Sequence, residues 1–417
     1  SNVASEWNRL KEIFTNPGLQ MISFTITEKG YALKGADGNY FPFIQADIDN
    51  GPEKAGSAMA VVCALLNERY KAGKAPLAVV SMDNCSHNGE KLQKAVMEIA
   101  AAWRDNGSIT AEEYAYLEND VAFPWSMIDK ITPRPNPSVE KQLLADGLED
   151  ISPFETAKHT FTAAFVNAEK PQYLVIEDSF PNGRPPLEEA GVIITSRDVV
   201  NKVEKMKVCT CLNPLHTCLA VYGCILGYDS IAAEMRDEDL VKFITRMSHE
   251  EGMPFVVDPG VIDPEQFLNE VLTVRFPNPF MPDTPQRIAT DTSQKLSIRF
   301  GETIKAYIAS PAHEASELTL IPLVLAGWLR YLIGVDDTGA AFPCSPDPLL
   351  EAMQAHLAGM KLGGPIDAEK LRPILSDASI FAVNLYECGL ADKVIGCFTE
   401  LMAGAGAVRA TLKKYLA

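Results

Sequence analysis

Hydrophobic and polar positions along the chain follow two regimes. Up to about residue 196, short apolar runs alternate with helical patterns. An amphipathic stretch over 5–16 is closed by Asn16-Pro17-Gly18, and MISFTITEKGY (21–31) is a β-branched and aromatic run that predicts a strand and a polar loop. A helix with an Ala/Val/Leu face follows over 54–72, then the continuous run PLAVVSM (76–82), then a helix over 90–106. A short run that is apolar throughout marks a strand buried on both faces of a parallel sheet. Helix, buried strand, polar loop and helix in succession predict an α/β layer structure. YLVIEDSF (173–180) reads as a further strand, and the proline-punctuated VAFPWSMIDKITPRPNP (121–137) as a cover over a sheet edge.

From about residue 197 the period becomes helical, with candidates at 214–228, 237–251, 264–275, 286–309, 314–334, 347–359, 367–375, 378–389 and 391–415. No buried strand is predicted after residue 200. The fold class is therefore α/β followed by all-α, with domains at 1–196 and 197–417; a chain of 417 residues exceeds one ordinary core. The Gly404-Ala405-Gly406 triplet has no strand before it and reads as a helix break, not a phosphate loop.

The densest polar cluster in the second half is KMKVCTCLNPLHTCLAVYGCILGY (205–228). Asn213-Pro214 predicts a helix start, since asparagine caps well and proline is tolerated in a first turn. His216 lies three residues after Asn213, on the same face. A capping asparagine beside a surface histidine would look the same, so the cluster alone leaves both readings open. In the first half, ligands of such sheets bind beyond the carboxyl ends of the strands. That rule selects Thr27 after the first strand and Ser81, Asp83 and Asn84 after the buried one as the cofactor side.

A net charge of −18 excludes nucleic acid and anionic membrane surfaces as partners; an anionic small substrate requires lysines and arginines gathered locally. Nine cysteines without framework spacing predict a reducing, cytoplasmic setting. No run is expected to reach the length of a membrane span. Cys209, Cys211, His216 and Cys218 lack the second ligand pair of a structural zinc site, so no metal is predicted.

Six motifs in order carry a resemblance: TITEKGY (25–31), SMDNCSHNG (81–89), FPWSMIDKITP (123–133), FPNGRPPLEEAGV (180–192), LNPLHT (212–217) and DTPQRIATDTSQK (283–295). Together the chain resembles the mannitol dehydrogenase family of polyol and hexuronate dehydrogenases. The resemblance implies a partial Rossmann-type dinucleotide-binding domain followed by a mainly helical substrate domain, with the family's glycine-rich loop expected before residue 1. It implies metal-independent hydride transfer between a secondary alcohol and a ketone, with NAD or NADP as cofactor and NAD favoured. By the family pattern a lysine is the acid/base, Asn213 and Asn88 are oxyanion donors, His216 orients lysine or substrate, and Glu28 relays protons. Asp129, Arg287 and Lys295 match substrate-binding positions. Arg287 and Lys295, eight apart, would sit two turns apart on one helix. The cations favour a hexuronate/aldonate pair over a mannitol-type polyol; a non-catalytic sugar-acid-binding relative is the third reading. Oligomeric state is not encoded legibly.

One departure stands out. The family's lysine precedes the asparagine by five residues, whereas Lys207 precedes Asn213 by six and Lys205 by eight, and Pro214 replaces a small residue. Proline clashes with the carbonyl four residues back. A kink or helix restart at Pro214, with the extra residue in a bulge, would put Lys207 in the lysine's place, leaving Lys205 as the alternative.

Overall fold

The computed structural model describes residues 3–417 apart from 36, 131, 133 and 158, with the side chains of residues 3 and 4 also left out. Ile131 and Pro133 of the FPWSMIDKITP motif thus lie outside the described residues, as does the start of the chain at Ser1 and Asn2. Two compact units are present: Ser1–Lys130 with Lys170–Glu204, and Ile131–Glu169 with Lys205–Ala417. The segment 131–169, assigned to the first domain by sequence, belongs to the helical unit. A buried ion pair inside that unit accounts for it: Glu169 receives Arg275 Nε at 3.0 Å and Nη2 at 2.8 Å.

The first unit holds two small sheets. Strands β1 (Met21–Phe24), β2 (Leu77–Ser81) and β3 (Val121–Ala122) run parallel in that order. Strands β4 (Ser126–Asp129), β7 (Tyr173–Glu177) and β8 (Ile193–Thr195) form the second sheet, β7 antiparallel to β4 and parallel to β8. The short hairpin β5 (Phe154–Glu155) and β6 (Phe161–Thr162) lies in the other unit. Every residue of β2 is buried, and its alternation explains why. Leu77 and Val79 join the core under helices Ala58–Lys71 and Asn88–Asp105, while Ala78 and Val80 pack on the other side against Ile176. The 121–137 stretch is not merely a cover. It supplies β3 and β4, with Val121 and Phe123 buried before Pro124 and Met127 after it.

Arg69 locks the strand entrances. Buried in the core, it donates to the carbonyls of Phe14, Asn16, Leu19, Ala75 and Pro76, so the turn before β1 and the turn before β2 share one guanidinium.

The second unit is helical, as its pattern predicts. Asn213–Leu226 and Leu320–Leu332 form its centre, and both are almost wholly buried. Glu251, buried, caps the second of these through Thr319, Leu320 and Ile321 N–H groups, each at 2.7 Å. The helix expected over 391–415 is broken after Leu401 and resumes at Ala407, with Gly406 at φ 77°. Short helices at Pro42–Asn50, Ala111–Asn119 and Pro137–Ala145 have no counterpart in the hydrophobic pattern. Contrary to the expectation of no membrane-length run, the helical segments over Arg197–Leu226 together make a 30-residue stretch long and apolar enough to cross a bilayer, although Leu212 interrupts its helical geometry. Burial within the protein of 72% of its most apolar window makes it a core helix.

Candidate active site

In the first unit, the loops at the carboxyl ends of β1 and β2 are tied together by Asp83. Its buried carboxylate accepts from Ile26 N and from Thr27 N at 2.7 Å, and Tyr31 Oη donates to it while contacting Ser81 Oγ at 2.6 Å. Burial and Asp83 raise the Tyr31 phenol well above its usual range. Thr27 is held at φ 63°, ψ 161°, a conformation that a β-branched residue rarely adopts. Ser81 and Asp83 therefore build the rim instead of presenting free groups to a cofactor. Thr27 and the exposed Asn84 remain at the ligand-facing end of the parallel strands.

Asn88 opens helix Asn88–Asp105 and is fully buried. Its Nδ2 reaches Ser81 O at 3.3 Å, Asp83 O at 3.0 Å and Ser126 Oγ at 2.8 Å, while Oδ1 accepts from Ser126 N at 3.0 Å. Both amide hydrogens are engaged within the unit, where Asn88, the expected oxyanion donor, also fastens the β2 loop to β4. The neighbouring Gly89 permits this closeness: a Cβ there would lie 2.7 Å from Pro124 O and from Trp125 Cδ1. Asp129, at the end of β4, is buried. Glu28 does not sit as a buried relay; it lies on the surface, ion-paired with Lys91 of the same unit.

In the second unit, the predicted bulge is present as a π-helical turn. Met206–Cys211 widens to a π-helix, Leu212 N reaching back to Lys207 O at 3.1 Å. Leu212 then leaves helical geometry (φ −133°), and a new helix begins at Asn213 with Pro214 in its first turn. Lys207 is buried, with 3% of its surface exposed, while Lys205 is exposed. Asn213 is half-buried, and its side-chain amide makes no hydrogen bond among the described residues.

His216 is the centre of this unit's electrostatics. Its ring packs on Phe276, with centroids 5.1 Å apart, and Nε2 is buried with no hydrogen-bond partner among the described residues. The nearest carboxylate oxygen, Asp283 Oδ2, is 3.6 Å away. Burial, then Arg299, Arg287, Arg275 and Lys295, push the imidazole down to about 3, so it is neutral at physiological pH.

These cations differ in what neutralises them. Arg275 is paired with Glu169 and Arg287 with Asp283, the latter with its side chain 61% exposed. Lys295 instead donates to the carbonyls of Ile288 and Thr290, and Arg299 to Thr217 Oγ1. Among the described residues neither has a carboxylate within ion-pair distance. Burial lowers the Lys295 ammonium, and lowers Arg299 to about 10. The expected single helix through Arg287 and Lys295 is not formed. Pro285–Ile288 is one turn, Asp291 turns left-handed at φ 54° with its N–H on Pro346 O, and helical structure resumes later. The two cations nevertheless act on the same imidazole.

Sequence reasoning missed Asp283, Thr217, Arg275 and Arg299. Arg299 had a signal, lying four residues after Lys295 and thus one helical turn further. Arg275 had none, since its partner Glu169 lies far away in sequence.

Residues 2–189 match the mannitol dehydrogenase Rossmann domain, and residues 199–396 match the mannitol dehydrogenase C-terminal domain. The chain belongs to the mannitol dehydrogenase family. It is an oxidoreductase, with the Rossmann-type and helical domains of that family. D-mannonate oxidoreductase of Thermotoga maritima is 53% identical over 98% of this chain and 76% of its own length. The structure of Pseudomonas fluorescens mannitol 2-dehydrogenase in ternary complex with NAD and D-mannitol aligns with TM-score 0.69 and 28% identity, over 99% of this chain and 78% of that one. Substrate-free D-sorbitol dehydrogenase aligns with TM-score 0.77 and 27% identity, over 98% and 78%. The extra residue between Lys207 and Asn213 lies in the π-turn Met206–Cys211.

Proposed function

We propose that the chain is a hexuronate reductase, interconverting the ketone of a fructuronate-type acid and the alcohol of a mannonate-type acid with NAD(P) and no metal. One observation carries the choice of substrate. In a protein of net charge −18, Lys295 and Arg299 are half-buried beside a neutral imidazole with no carboxylate within ion-pair distance among the described residues, Asp291 and Asp347 acting on Lys295 only from further away. Half-buried cations without a direct ion-pair partner are stabilised by an anion that joins them, and a sugar carboxylate is such an anion. The 53% identity to a D-mannonate oxidoreductase supports the same reading.

The rim at Thr27 and Asn84 fits a nicotinamide cofactor, since it lies where open α/β sheets bind their ligands. When bound, the nicotinamide gives or accepts the hydride. This chain's residues handle the rest. Lys207, the buried lysine, gives the proton to the forming alcohol and takes it in the reverse direction. Asn213 is the donor to the developing alkoxide, its amide being uncommitted within its unit. Neutral His216 orients the adjoining hydroxyl without adding charge. Arg287 and Lys295 hold the sugar from the second unit; in the first unit Asp129 is the candidate substrate residue and Asn88 fixes the rim. A polyol dehydrogenase is the second reading, favoured by the likeness to mannitol and sorbitol enzymes.

Steady-state kinetics on fructuronate with NADH and NADPH, against fructose, test the proposal. The expected result is a kcat/KM for fructuronate at least about tenfold higher, a difference of roughly 1.4 kcal/mol in transition-state binding. A preference for fructose overturns it.

A further inference from the structure

Glu234 is the most anomalous side chain among the described residues. It has no exposed surface, both carboxyl oxygens lack a hydrogen-bond partner, and no cation pairs with it. Burial, and then Asp237, raise its carboxyl well above the ordinary carboxylate range and favour the protonated form, while Cys218 and Cys224 are the other ionisable groups near it. An unpaired buried carboxyl lowers stability. Where a residue breaks a packing rule without local compensation, function is the usual reason.

Its surroundings indicate which function. Gly223 lies seven residues after His216, two turns along the same helix and only about 20° off its face. A Cβ on Gly223 would lie 2.2 Å from Glu234 Oε1 and 2.9 Å from Pro285 Cγ. The carboxyl and the proline ring thus sit side by side in the space the glycine leaves. Pro285 follows the Asp283 that faces His216 and precedes Arg287, and Ile231 N bonds Asp283 O at 2.9 Å. The 283–287 segment is therefore seated on the helix at two points, beside His216 and beside Gly223. At the second seat the absence of a side chain on Gly223 is what leaves room for the carboxyl.

We infer that Glu234 is a positioning residue: its flat carboxyl, wedged over Gly223, sets how deeply the Asp283–Arg287 segment lies against the His216 face. This rests on the reading that Arg287 holds substrate. The test compares the intact enzyme with Glu234→Gln, which keeps a planar neutral group, and Glu234→Asp, which withdraws it by one methylene. Kinetics use whichever of fructuronate and fructose the wild type turns over, so an error about substrate class leaves the test intact. Glu234→Asp is expected to raise KM about fivefold or more with kcat within about twofold, as for lost uniform binding, while Glu234→Gln stays within about twofold of wild type in both. An unchanged KM in Glu234→Asp, or a Glu234→Gln as impaired as Glu234→Asp, overturns the inference.

Discussion

His216 faces the Asp283 carboxylate across 3.6 Å and yet is neutral. The carboxylate is already engaged by Arg287, and three further cations oppose a proton on the ring. Neutrality has a use, because an uncharged imidazole can donate at one nitrogen and accept at the other. The folded value, about 3, lies below the ordinary 6.5. The unfolded chain therefore binds a proton that the folded chain refuses. Stability from this group is complete above pH 6.5 and falls as pH drops toward 3, by up to about 1.4 kcal/mol per unit. NMR of the imidazole is expected to show no titration between pH 5 and 8, and Arg299→Gln is expected to move its titration upward.

Lys207 and Lys205 make opposite predictions. Lys207→Met is expected to lower kcat by about 10²–10⁴, the range for a removed general acid/base. Lys205→Met, at an exposed position, is expected to stay within about twofold, as surface changes away from special features do. Similar losses in both variants would remove Lys207 from its assigned role.

Much of this architecture was legible because it rests on local pattern. β2 announced itself as an unbroken apolar run, and the helical half by its 3.6-residue period. The π-turn was legible too: one surplus residue before Asn213-Pro214 has few places to go. What stayed hidden depends on contacts distant in sequence. Nothing near Glu169 reveals Arg275, and nothing in SMDNCSHNG shows that Asn88 spends its amide on Ser126. The broken helix between Arg287 and Lys295 escaped notice because Asp291 turns left-handed to reach Pro346, a partner that periodicity does not register.

Arg69 carries a structural prediction. Replacing it with Met keeps the apolar stem and leaves five carbonyls without their donor. Unsatisfied buried groups cost about 1–3 kcal/mol each when water cannot reach them. With partial rescue by solvent at the turns, Arg69→Met is expected to lower unfolding free energy by about 3 kcal/mol in urea titration. A midpoint unchanged from wild type would show that the turns before β1 and β2 hold without it.

Glu234 makes a prediction about stability that is separate from its seat beside Pro285. Its folded carboxyl stays protonated well above the ordinary 4.5, while the unfolded chain releases the proton there. As pH rises past 4.5 the unfolded state binds fewer protons than the folded state, so the wild type loses stability from this group until the folded carboxyl itself ionises. Glu234→Gln has no such proton to hold, although it buries an amide whose hydrogens are unpaired. Its stability relative to wild type is therefore expected to be lowest at acid pH and to rise as pH increases past 4.5, at up to about 1.4 kcal/mol per unit. Melting temperatures of the two proteins across that range measure the difference directly. Parallel curves would mean that Glu234 finds a partner in solution and ionises normally, and the wedge over Gly223 would then be a charged group with a counter-ion.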